Sequence, residues 1–143
     1  MKTKQLTQDR ATLHALIFET GDEVMSGLKE FAQRHNVRAA RFTAIGAFQS
    51  ATLAYFDWEK KNYIEIPVRD QVEVLVLAGD IAWNENGPVA HVHVVLGRRD
   101  GSTLGGHLCD AIVRPTLEVM LTQAGALERT IDPTSGLALI SDK

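Results

Sequence analysis

From Arg41 onward the chain reads as a series of β segments whose connections are too short to hold a crossover helix, and that spacing points to antiparallel pairing. RFTAIGAFQSATLAYFDW (41–58) predicts two strands broken near Gly46, and EKKN (59–62) a turn before YIEIPV (63–68). QVEVLVLAGDIAW (71–83) is a long β segment with Val72, Val74 and Val76 on one face. WNENGP (83–88) reads as a loop punctuated by Asn86, Gly87 and Pro88, and VAHVHVVLG (89–97) as the next strand. RRDG (98–101) is a hairpin turn carrying an Asp-Gly signal. STLGGHL (102–108) returns, and a connection through Arg114 and Pro115 leads to TLEVMLTQ (116–123). The tail LERTIDPTSGLALI (127–140) has room for one or two short strands.

One helix interrupts this pattern. LHALIFET (13–20) reads as a strand that runs into TGDEVMSGLKEFAQRHNV. Thr20 and Glu23 have capping-box spacing, which predicts a helix starting there. Val24, Leu28, Phe31, Ala32 and His35 form its apolar stripe, suited to covering one face of a sheet, with His35 placed to cap its end. The fold class is therefore α+β, a largely antiparallel sheet with one main flanking helix. With no repeat or linker in 143 residues, one domain over 1–143 is expected, its core at about 12–125. VEVLVLAGDIAW and VHVVLG are apolar on both faces, so one helix leaves a face uncovered that a subunit interface would bury.

Charge narrows the function. Lys and Arg total 15 against 18 Asp and Glu, a formal net charge of -3, which argues against a dedicated nucleic-acid binder. Arg34, Arg38 and Arg41 form a small local cluster, as do Lys60 with Lys61 and Arg98 with Arg99. No apolar run approaches the length of a membrane span, and MKTKQLTQDR lacks the apolar core of a signal peptide, so a cytoplasmic location is expected. A lone cysteine, Cys109, excludes an internal disulfide. It reads as a half-buried filler more readily than as a ligand or reactive thiol. No nucleophile elbow, P-loop or dinucleotide fingerprint is present, and GSTLGG (101–106) matches neither phosphate motif.

The chemistry concentrates in AHVHVVLGRRDGSTLGGHLCD (90–110), which holds three of the five histidines. On a strand His91 and His93 project from one face while Val92 and Val94 take the other. Two imidazoles so spaced suit a shared metal ion. The RRDG turn folds the next strand back alongside, which can bring His107 to them, although the register is not fixed by sequence. Gly105 and Gly106 permit close backbone approach, a bulge that re-aims His107, or subunit packing. Three neutral imidazoles with open coordination positions suit zinc, and also nickel, iron or copper. The alternatives are half-exposed hydrogen-bonding histidines or a polar subunit interface. A metal-dependent reaction on a small molecule would also need a base, for which Glu118 is the leading candidate. Glu73 and Asp110 could act as outer-sphere partners of a histidine.

The order of these motifs resembles the PPC (plants and prokaryotes conserved) family, also called DUF296. The resemblance rests on TGDEVMSGLKEFAQRHNV, FTAIGAFQSATLAYFDWEKKNY, VEVLVLAGDIA and, most specifically, HVHVVLGRRDGSTLGGHL followed by TLEVML. It implies an α+β domain that assembles as a homotrimer. It further implies metal ligation by His91, His93 and His107 in some members, and a DNA-binding or DNA-associated role by family label. Land-plant members are fused to AT-hooks that bind A·T-rich DNA. The Arg-Gly-Arg-Pro core of an AT-hook does not occur in these 143 residues, so the resemblance does not itself carry DNA binding to this chain. The helix entry is Thr20-Gly21-Asp22, where the family usually has Pro-Gly followed by an acid. The expected role is thus a homotrimeric metal- or small-ligand-binding module, with a metal-dependent enzyme as the alternative.

Overall fold

The computed structural model describes residues 11–141; the polar start of the chain, residues 1–10, lies outside them. The elements run β1 (Thr12–Glu19), α1 (Val24–Arg34), β2 (Ala40–Asp57), β3 (Asn62–Val68), β4 (Val72–Asn84), β5 (Gly87–Gly97), β6 (Thr103–Gln123), β7 (Arg129–Ile131) and β8 (Ala138–Ile140). The main sheet has six strands in the order β1-β6-β5-β4-β2-β3, and β7 pairs with β8 in a separate hairpin. These strand pairs are antiparallel. β2 pairs with β6 as well, so β2, β4, β5 and β6 close on one another in a ring.

Period-two alternation fills that ring. Phe42, Phe48 and Leu53 of β2, Leu77 and Ile81 of β4, Val92, Val94 and Leu96 of β5, and Leu108, Leu117 and Leu121 of β6 are buried in one core. Helix α1 packs Val24, Leu28 and Ala32 into the same core, against β5 and β6. The α+β expectation therefore holds.

Three local expectations are corrected. The segment around Gly46 is one 18-residue strand. Gly46, at φ 152, absorbs the bend as a register irregularity where a side chain would strike the Thr116 carbonyl. Residues 103–123 are likewise a single strand running through Pro115. Pro115 costs no ladder bond there. The β1 pairing begins only at Thr116, and the β2 pairing passes from Val113 to Leu117. The helix starts at Val24, not at Thr20, and Glu23 is itself the N-cap. Its carboxylate accepts from Met25 N at 2.9 Å and Ser26 N at 2.7 Å, while the Thr20 hydroxyl donates to the Pro115 carbonyl. His35 caps the other end through its backbone N–H, which donates to the Phe31 carbonyl at 3.0 Å.

Candidate metal centre

The site lies on the outer face of the ring, on the sides of β5 and β6 that face away from Val92, Val94 and Leu108. The β5–β6 turn pairs Gly97 with Thr103, and that register sets His93 directly opposite His107. His91 stands two residues from His93 on the same face. The ring centroids lie 5.1 Å apart for His91 and His93, 5.2 Å for His91 and His107, and 5.5 Å for His93 and His107. One ligand nitrogen from each histidine falls within 4.8 Å of the other two. An ion with nitrogen ligands at about 2.0–2.1 Å needs them no more than about 4.2 Å apart, a closure that small rotations of the imidazoles would supply.

The glycine pair explains how β6 reaches this position. Gly105 and Gly106 are not themselves a bulge, since the β5–β6 register is unbroken across them; the irregularity in β6 near His107 falls at Cys109, on the β2 side. A Cβ on Gly105 would stand 2.8 Å from the Val94 carbonyl of β5, and one on Gly106 2.8 Å from the Ala54 carbonyl of β2. The pair lets β6 lie close to both neighbours at once.

The surroundings favour the neutral form of two of the imidazoles, His91 and His107. Burial, reinforced by the charge of His91 and His93, pushes His107 down to about 4. Burial and Arg129 lower His91, against the opposing pull of Asp80. Neutral imidazole is the form that coordinates a metal. His107 Nδ1 is buried with no hydrogen-bond partner among the described residues. A buried polar nitrogen left so is costly unless something outside the protein uses it. Tyr63 of β3 covers the His107 ring at a centroid distance of 4.9 Å.

The other residues singled out in the sequence lie elsewhere. Glu118 is exposed, paired with Ile17 and Ile45, and lies eleven positions along β6 from His107. The structure does not bring it to the histidines. Glu73 pairs with Gly97 and Asp110 with Thr52, both exposed, and neither joins the cluster. Cys109 is exposed and not the half-buried filler expected. Residual burial and the carboxylates of Asp110 and Glu65 push its thiol up, away from thiolate character. The residue that sequence reasoning missed is Asp80. Asn84 pairs with Gly87, so Glu85 and Asn86 form a two-residue turn that sets Asp80 opposite His91. Asp80 Oδ2 stands 3.9 Å from His91 Nδ1, and Oδ1 accepts from the buried Arg129 guanidinium. The Asn86-Gly87 signal alone misleads by one register step, because a turn centred on that pair would set Asp80 opposite His93, whereas the turn is centred on Glu85 and Asn86.

Residues 6–125 match the family model described as the Plants and Prokaryotes Conserved (PCC) domain. The chain belongs to that family. Among solved structures, a metal-containing protein from Archaeoglobus fulgidus is 34% identical, with 99% of each chain covered and a TM-score of 0.88. A PPC protein from Pyrococcus horikoshii is 29% identical over 99% of this chain and 97% of that one, with a TM-score of 0.87. A candidate DNA-binding protein from Bacteroides thetaiotaomicron is 27% identical over 90% of this PCC chain and 91% of that one, with a TM-score of 0.85. A curated relative, the bifunctional protein GlmU of Synechococcus sp., is 28% identical over 122 residues. That stretch is 81% of this chain but 18% of GlmU, so the chain spans about a fifth of the curated relative it matches. No helix among the described residues is long and apolar enough to cross a membrane.

Proposed function

We propose that this PCC domain is a homotrimeric binding module that holds one divalent ion, zinc by its donor set, on His91, His93 and His107. The observation that carries the reading is the triangle of ligand nitrogens within 4.8 Å, which includes the half-buried His107, whose Nδ1 is buried with no partner among the described residues. The metal-containing relative from Archaeoglobus fulgidus supports it. An ion held by His91, His93 and His107 would supply Lewis acidity toward a small ligand. The chain's own residues hold the ion, favour the neutral form of His91 and His107, and shield one side with Tyr63. Glu118 is not at the histidine cluster and is therefore not the base of a small-molecule reaction there.

An apolar outer patch supports the trimer. Leu13 and Ile17 of β1, Met120 of β6 and Ile45 of β2 are exposed and share one face, Ile17 at 70%. Such a patch marks an association surface. The test of the metal reading is metal content per chain on untagged protein, in wild type and in His91→Ala and His107→Ala. One equivalent lost in both variants supports it; no metal in supplemented wild type overturns it.

DNA binding is the second reading, favoured by the description of the Bacteroides relative. Of the three suspected arginines, Arg34 pairs with Glu30, and Arg38 lies over Trp83, 3.8 Å from Glu128. Duplex binding that falls steeply with salt would support this reading, and its absence at low salt would remove it.

A further inference from the structure

Asp80 stands between the histidine centre and the C-terminal hairpin. Its Oδ2 faces His91 Nδ1 at 3.9 Å, and its Oδ1 is ion-paired with Arg129 Nη2. The Arg129 side chain is only 4% exposed, and its Nη1 donates to the Ala138 carbonyl of β8 at 2.9 Å. The carboxylate is thus held from behind by a buried cation, which is itself fixed in the β7–β8 hairpin. An imidazole that ligates a metal through Nε2 carries its proton on Nδ1, and that N–H needs an acceptor to fix tautomer and ring orientation. Asp80 Oδ2 is the acidic oxygen that faces it. A swing of the imidazole by roughly 1 Å brings the pair to hydrogen-bond length.

We infer that Asp80 is the positioning carboxylate of His91. It accepts the Nδ1–H, presents Nε2 to the ion, and couples the C-terminal hairpin to metal affinity through Arg129. The inference rests on the metal reading of the three histidines. The competing role for Asp80 is simple neutralisation of Arg129, and the two roles separate when both charges are removed together.

The experiment is a cobalt(II) titration followed by visible absorption, with zinc affinity measured by competition. The proteins are wild type, His107→Ala, Asp80→Asn, and the double variant Asp80→Asn with Arg129→Gln. The double variant leaves no unpaired buried charge, so it decides the matter if the single variant fails to fold. Wild type should bind one cobalt ion, and His107→Ala should lose it. Asp80→Asn and the double variant should bind about 10- to 100-fold more weakly, with shifted visible bands. Affinity within about twofold of wild type and unchanged bands in the double variant would overturn the role of Asp80 and leave the metal reading intact. Failure of wild type to bind cobalt would overturn both.

Discussion

Replacing Gly106 with alanine tests how the strands are packed around the site. The new Cβ would sit 2.8 Å from the Ala54 carbonyl, where ordinary contact begins at 3.4 Å. Relieving it takes about 0.6 Å of movement, and β6 has little room for it, because Gly105 already lies against the Val94 carbonyl of β5. Forcing one extra methyl into such a place costs about 1–3 kcal/mol. For a chain of this size that is a fall in Tm of roughly 4–10 °C. The residue next in sequence is His107, and a displacement beyond about 0.5 Å spoils a ligand constellation. Zinc affinity should therefore fall by about tenfold or more. Thermal melts in chelator report the packing cost alone, and competition with a chromophoric chelator reports the affinity. A Gly106→Ala protein that melts within about 1 °C of wild type and binds zinc equally well would refute the close-approach account of the glycine pair.

Two further outcomes follow from the structure. Burial raises the Glu23 carboxyl, but the N–H groups of Ser26, Met25 and Ala111 outweigh it and hold the group below its ordinary 4.5. A depressed acid contributes stability that is present above its unfolded value and lost as pH falls through the folded one. Glu23→Ala should thus cost about 1–2 kcal/mol in denaturant melts at neutral pH, and the gap to wild type should narrow in acid below that value. Ile17→Lys, on the exposed apolar patch, should leave the monomer fold intact and shift light-scattering mass from trimer to monomer; an unchanged trimer would place the interface elsewhere.

Much of this was legible because strand chemistry has a period of two. His91 and His93 fall on one face in any register, so two of the three ligands follow from HVH alone. His107 does not, because its position depends on how many residues the RRDG turn consumes, and the turn runs from Gly97 to Thr103. Strand ends were misread where glycine and proline were taken as breaks. Gly46 and Pro115 fall where β2 and β6 irregularly face each other, so the ladder tolerates both and the strands continue. Asp80 was overlooked because a carboxylate in an apolar strand gives no partner by itself. Its meaning came from the two-residue turn that sets it opposite His91 and from Arg129, 49 residues away. Glu118, chosen for its apolar context, lies among the exposed apolar residues of β1 and β2, so that context reflects a surface patch and not a site.

The central claim is that three imidazoles share one ion. X-ray absorption at the metal edge of untagged, zinc-loaded protein tests it most directly. The account predicts three imidazole nitrogens at about 2.0–2.1 Å, with the outer-shell scattering of their rings, and no sulfur. A sulfur at about 2.3 Å would bring Cys109 into the site, and a shell of oxygens without imidazole rings would mean the histidines do not hold the metal.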